Sequence, residues 1–279
     1  MVNDDERDAV EGGRIHKAVF RVHGARLEHF PEQDVLAEET PVALEYNGIA
    51  YATMLATPAD LEDFALGFSL TEGIVEDLAE IYELELESNQ AGVIVRLEIA
   101  SERFARLKAR RRALSGRTGC GLCGIESLTE AVRPVPRVPQ GGRVPLAAVL
   151  SAMHALRARQ PLHGATGATH AAALAAADGA LLVVREDVGR HNALDKAIGA
   201  AARGGLLRTG DAAIALMSSR ASFELVQKTA VAGIGVLAAV SAPTALAVRL
   251  AEEAGITLLG FVRGQEATVY SRVDRLVTE

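Results

Sequence analysis

The chain has no tryptophan, and aromatic residues make up only 4% of its 279 positions. Its interior must therefore be filled by Ala, Val and Leu, which a hydrophobic content of 49% can supply. Cysteine is nearly absent: only Cys120 and Cys123 are present, which excludes a disulfide scaffold and points to a reducing compartment. There is no excess of positive charge either. The formal net charge is −7, and phosphate backbones are bound by surplus Lys and Arg, so nucleic acid is not an expected partner. The stretch from Met1 to Asp8 is acidic and lacks the apolar core of a signal peptide. The most apolar run, 229–248, is interrupted by Gly233, Gly235 and Pro243, and reads as buried strand and helix rather than a membrane span. These absences predict a soluble, cytoplasmic protein with no membrane partner.

The two cysteines stand together in Arg117-Thr118-Gly119-Cys120-Gly121-Leu122-Cys123-Gly124. The glycines supply backbone freedom rather than packing. Arg103, Arg106, Lys108, Arg110, Arg111, Arg112 and Arg117 lead into the pair, and dense positive charge beside a Cys-x-x-Cys favours thiolates. This predicts sulfur chemistry at Cys120 and Cys123. Three other readings compete. Structural zinc needs four ligands, but there is no second cysteine pair, and His163 and His170 lack ligand spacing. A thioredoxin-like pair belongs between a strand and a helix of a βαβ unit, whereas this one follows a basic helical segment. The basic run also suits a solvated helix face.

Length allows one large or two modest domains. Residues 1–15 read as a flexible tail, 16–137 as an N-terminal α+β domain ending in the Cys-x-x-Cys loop at 115–124, and 138–279 as a C-terminal α/β domain. The boundary lies in Pro134, Pro136, Pro139, Gly141, Gly142 and Pro145. A first strand is expected over 18–23. A hairpin is expected over 42–55, turning at Asn47-Gly48, a pair suited to the positive φ of a type I′ turn. Thr57-Pro58 resembles an N-cap followed by proline at the first helical position. Leu61, Phe64, Ala65 and Phe68 then recur at helical spacing until Gly73. Alternating strands follow over 81–86 and 93–99, then a helix from Ser101 to about Leu114.

The C-terminal half predicts a hairpin over 171–184 turning at Asp178-Gly179, a helix over 192–201, and apolar strands at 213–217, 236–240 and 257–262 separated by helices. That alternation implies βαβ crossovers and a largely parallel sheet, whose strand carboxyl ends share one ligand-binding edge. Arg185, Glu186, Asp187, Arg190 and His191 follow one strand. Ser218, Ser219 and Arg220 follow the next, Ser241 and Thr244 another, and Arg263 the last. Hydroxyls, helix N-termini and arginines together describe an anion site; the alternative is that the serines are N-caps and the charges solvated loops. His191 is the strongest functional histidine, and His170 reads as a packing residue.

Several segments jointly resemble the FdhD family of formate dehydrogenase accessory sulfurtransferases, from about residue 40 to the C-terminus. They are Glu62-Asp63-Phe64 to Thr71-Glu72-Gly73, Cys120 to Gly124, Thr166 to Ala171, Glu186-Asp187-Val188-Gly189-Arg190-His191-Asn192-Ala193-Leu194-Asp195-Lys196, Ser219 to Glu224, and Ser241 to Thr244. The resemblance implies a sulfurtransferase that accepts sulfur from a cysteine desulfurase as a Cys120 persulfide, with Cys123 as partner. The sulfur would go to the molybdenum cofactor (bis-molybdopterin guanine dinucleotide) of a client formate dehydrogenase. Also implied are a cytidine-deaminase-like three-layer α/β/α core beside a smaller α+β domain, and a homodimer. Cofactor contacts would come from Phe261, Val262, Arg263, Gly264, Gln265 and Glu266, with Arg190, His191, Ser219 and Arg220 of the strand-end edge nearby. GDP or GMP would mimic the cargo, and no zinc is expected. Two departures stand out: Ser219 replaces an expected glycine, and Gly264-Gln265-Glu266 matches loosely. The His-x-Glu and Pro-Cys-x-x-Cys ligands of deaminases are absent. A non-catalytic cofactor-binding chaperone and a thioredoxin-like dithiol oxidoreductase are the rival functions.

Overall fold

The computed structural model describes residues 12–115 and 134–278. The N-terminal half runs β1 (Arg14–Val19), β2 (Val22–His23), β3 (Arg26–Leu27), β4 (Glu32–Ala37), β5 (Thr40–Tyr46), β6 (Ile49–Ala56), α1 (Leu61–Thr71), β7 (Ile81–Asn89), β8 (Gly92–Ile99) and α2 (Ser101–Ser115). β5 and β6 form the expected hairpin, with Asn47 and Gly48 at φ 46° and 74°. β8 pairs in parallel with β5, giving a four-stranded sheet of order β6-β5-β8-β7. Val42, Leu44 and Tyr46 alternate onto one face of this sheet and pack with Phe64, Ala65 and Phe68 of α1 and Leu107 of α2. The single strand expected over 18–23 is instead split: β1 pairs with β4 and stops at Val19, and Val22–His23 opens a separate small hairpin that turns at Gly24.

The C-terminal half runs β9 (Val144–Pro145), α3 (Leu146–Arg157), α4 (Pro161–Thr166), β10 (His170–Ala175), β11 (Leu181–Asp187), α5 (Arg190–Arg203), β12 (Ile214–Met217), α6 (Phe223–Val231), β13 (Val236–Ala239), α7 (Ala245–Ala254), β14 (Thr257–Arg263), β15 (Glu266–Val269) and β16 (Leu276–Val277). Its six-stranded sheet has the order β11-β10-β12-β13-β14-β15. The three strands expected to lie in parallel do so, as β12–β13 and β13–β14, and β10–β11 is the expected hairpin. The sheet as a whole is nevertheless mixed rather than largely parallel, because β10–β12 and β14–β15 are antiparallel too. The reason is connection length. β10 and β11, like β14 and β15, are joined by tight turns, which force antiparallel pairing. β15 gives no strand signal in the sequence, because its four residues carry too little periodicity.

Helices cover both faces of this sheet. Ala172, Leu174, Ala215, Met217, Leu237 and Ala239 pack under α5, α6 and α7; Ala171, Ala173, Ala175, Leu216 and Ala238 pack under α3. Burial on both sides is why these strands read as unbroken apolar runs.

β10 is antiparallel to both β11 and β12, so β11 runs in the same direction as β12, β13 and β14. The carboxyl ends of these four strands therefore open on one edge. The N-terminal half is pressed against this core through α1 and α5. A Cβ added at Gly67 would lie 1.8 Å from the Asp195 carbonyl oxygen, and one at Gly199 would lie 1.9 Å from that of Asp63. The two helices thus touch backbone to backbone, which only glycine permits at those positions.

Candidate functional site

Cys120 and Cys123 lie outside the described residues. The described part of the basic run before them, on α2, is already engaged. Arg103 contacts Glu76 and Glu80 at 2.6 and 2.8 Å. Arg106 pairs with Glu102 at 2.7 Å, and the Lys108 ammonium sits 4.5 Å above the Phe104 ring. Arg103 and Arg106 are thus paired with carboxylates of their own surroundings.

At the strand-end edge, the charged residues divide into two groups. Arg185, expected in the anion site, turns away to Asp63, with contacts of 2.9 and 2.7 Å. Glu186 accepts from the backbone N–H groups of Leu162 and His163 at 2.9 and 2.7 Å, which makes it a cap for the start of α4. Asp187 is fully buried in a pair with Lys196. Each of these three residues is engaged by a partner in another element, and Asp187 is withdrawn from solvent altogether.

Arg190 and His191 remain, at the first turn of α5. That helix begins after Gly189 without a side-chain cap, so its leading N–H groups stay available. α6 also starts without one: its N-cap Ser222 instead places its hydroxyl 3.1 Å from His191 Nε2. The same nitrogen lies 2.8 Å from the Glu224 carboxylate, and hydrogen bonding to His191 holds Glu224 below the ordinary carboxylate range. Arg190 Nε is buried and has no hydrogen-bond partner among the described residues. An unsatisfied guanidinium N–H beside two uncapped helix starts is a cradle for an oxyanion. Ser222 and Glu224 went unassigned, although both lie in the Ser219–Glu224 segment; Ser-x-Glu at a helix start was the available signal.

The other edge residues have clear roles. Ser218 Oγ accepts from Ala171 N at 2.8 Å, tying β12 to β10. Ser219 is buried, its hydroxyl donates to the Arg220 carbonyl at 3.0 Å, and its φ is not left-handed, so the position does not require glycine. Arg220 is exposed. Thr244 caps α7 by accepting from Ala247 N at 3.2 Å. Residues 261–266 form the tip of the β14–β15 hairpin, with Arg263 opposite Glu266. Phe261 is exposed and left-handed at φ 53°. Gly264, Gln265 and Glu266 are exposed, and Arg263 Nε donates to the Val240 carbonyl at 3.1 Å. Val262 differs from its neighbours: the register shift between Gly260 and Arg263, with Phe261 left-handed, breaks the strand alternation and turns its side chain into the core under α3, beside Leu259, so only its backbone can meet a ligand.

His170 is not the packing residue expected. It opens β10 opposite Asp187 at this edge and is half-buried. Burial, then the positive charge of Arg190, then His163 and His191 push its pKa down. The edge location follows from the reversed direction of β10, which local sequence does not signal. Among the described residues, no group of three or more His, Cys, Asp or Glu could hold a metal ion, and no helix is long and apolar enough to cross a membrane.

The sequence pattern of the FdhD/NarQ family matches residues 37–277. A relative named sulfur carrier protein FdhD, from Bordetella petrii, is 60% identical over 260 residues, covering 93% of this chain and 92% of that one. Proteins of the same name from Cupriavidus necator and Xanthomonas axonopodis pv. citri are 58% and 50% identical, covering 88% and 96% of this chain and 85% and 94% of theirs. A crystal structure of a candidate formate dehydrogenase accessory protein from Desulfotalea psychrophila superposes with a TM-score of 0.74 at 23% identity, covering 95% of this chain and 99% of that one. At that identity the likeness speaks for the fold alone.

Proposed function

The chain belongs to the FdhD/NarQ family, and on that premise we propose that it is a cytoplasmic sulfur carrier serving formate dehydrogenase. Cys120 receives the sulfur: its thiolate attacks the sulfane sulfur of a cysteine desulfurase persulfide, a Cys120 persulfide forms, and the desulfurase thiolate leaves. Cys123 is the partner thiol. The cargo is the molybdenum cofactor in its bis-molybdopterin guanine dinucleotide form, held at the strand-end edge before it passes to the client enzyme. The protein works as a homodimer, and its six-stranded mixed sheet with helices on both faces is in keeping with a cytidine-deaminase-like core.

The observation that carries the edge assignment is Arg190 Nε, buried without a partner beside the uncapped starts of α5 and α6. A cofactor bearing pyrophosphate groups supplies the oxyanion such a cradle lacks. The sulfur-carrying role rests on the names of relatives that match over most of this chain and on the presence here of the Cys120–Cys123 pair.

Incubating the protein with a cysteine desulfurase and cysteine, then measuring intact mass, tests the sulfur step. A gain of one sulfur (about 32 Da) is expected in the wild type and in Cys123→Ala, and none in Cys120→Ala. Sulfur retained by Cys120→Ala but lost from Cys123→Ala would reverse the assignment.

A further inference from the structure

We propose that Thr57, Asp187, Asn192 and Lys196 are positioning residues, forming a buried joint that sets the 187–190 turn and so holds Arg190 and His191 at the anion-binding edge. The proposal rests on reading that edge as the cargo site.

The starting observation is a charge pair where the fold alone does not need one. Lys196 Nζ lies 2.6 Å from Asp187 Oδ2, and both side chains have 0% exposure. A fully buried ion pair is commonly replaceable by apolar residues of similar volume without loss of stability, so this pair calls for a role beyond stability. Its hydrogen bonds supply one. Asp187 Oδ2 also accepts from the Thr57 backbone N–H at 3.0 Å. Its other oxygen accepts from Gly189 N at 2.8 Å and from Asn192 Nδ2 at 3.1 Å. Lys196 donates to the Thr57 carbonyl at 2.9 Å. The Thr57 hydroxyl accepts from Val188 N at 3.1 Å, and Asn192 reaches the Leu55 carbonyl at 2.8 Å.

Every backbone N–H that reverses the chain between β11 and α5 is thus gripped, partly from within the turn and partly from the segment between β6 and α1. The turn has no slack: a Cβ at Gly189 would lie 2.9 Å from Asn192 Nδ2 and 3.3 Å from Asp187 Oδ1. The next two residues are Arg190 and His191. Their backbone direction is set by the joint, at an edge where Arg190 Nε–H has no partner among the described residues and the helix start carries no side-chain cap. The same joint links the edge to the N-terminal half through Thr57 and Leu55.

The test uses the full chain and GDP as probe. Thr57→Val removes the hydroxyl that holds Val188 N–H and keeps both backbone contacts of residue 57. The expected result, at a temperature where circular dichroism shows the variant fully folded, is about tenfold weaker GDP binding with a displaced His191 ring signal in ¹H–¹³C NMR. A lowered melting temperature with unchanged affinity and unchanged His191 signal would mean a purely structural role and overturn the proposal. The paired variant Asp187→Asn with Lys196→Met removes both charges and keeps the shapes. It too is expected to fold and to bind GDP weakly, and wild-type affinity in it would overturn the proposal. Should the wild type itself bind no GDP, the cargo reading fails, and the His191 signal alone decides whether the joint positions the edge.

Discussion

His170 and Lys228 show what burial does to single charged groups in this protein. Lys228 is buried, which works against its charge, yet Asp195 and Glu72 outweigh burial and hold its pKa above the ordinary lysine value. It donates to both Asp195 oxygens, at 3.0 and 2.9 Å, and to Thr71 at 3.0 Å. His170 has no carboxylate partner of that kind, and its pKa is pushed down. The sign follows directly. Between the ordinary histidine value of about 6.5 and the lower folded value, the unfolded chain takes up the proton first. The contribution to stability is therefore fully present above about pH 6.5 and is lost as pH falls through the folded pKa. An NMR titration of the His170 ring is expected to show a midpoint below that of a free histidine, and His170→Gln is expected to flatten the loss of stability between about pH 7 and pH 5 in urea unfolding. A midpoint at or above about 6.5 would contradict this account.

Between elements, the decisive contact is α1 against α5. The helical spacing of Leu61, Phe64, Ala65 and Phe68 identified α1 and its buried face. That spacing could not show that Gly67 lies against the Asp195 carbonyl, since the two are far apart in sequence. Gly67→Ala places a methyl group where no space exists. It is expected to destabilise the protein by about 1–3 kcal/mol, read as a lower urea midpoint at unchanged m-value; an unchanged midpoint would show that the two helices can separate freely. Thr57 carries the opposite lesson. The pattern Thr-Pro before an apolar helical run is a sound N-cap signal, yet the helix starts at Leu61, after Asp60 at φ 54°, with no side-chain cap. Its hydroxyl is taken by Val188 N–H instead. A buried backbone donor left unpaired costs more than a helix cap at the surface gains, so the tertiary partner wins.

For the whole molecule, the proposed cargo raises the question of how an acidic chain would gather a polyanion. The net charge is −7, so attraction must come from local placement. Arg190 lies within the edge, Arg220 is exposed beyond β12, and Arg263 stands at the hairpin tip. Removing the two outer cations with Arg220→Ala and Arg263→Ala is expected to weaken GDP binding by about tenfold, with a shallower salt dependence than the wild type. Isothermal titration at two salt concentrations checks it, and full affinity in the double variant would place the nucleotide elsewhere.

Read alone, the sequence determined whatever depends on neighbours within a few residues. That includes the Asn47-Gly48 turn, the alternation of β5, the helical stripe of α1, the apolar strands of the C-terminal sheet, and the Cys120–Cys123 pair with its family motifs. Only the tertiary structure decided how the Glu186–Lys196 block divides its work. Asp187, Asn192 and Lys196 turn inward to Thr57 and Leu55, while Arg190 and His191 are left at the edge. It also decided the direction of β10, and with it the place of His170. The physical reason is the same throughout: local propensities act through adjacent dihedral angles, whereas a buried polar group takes whichever distant partner packing brings within hydrogen-bond reach.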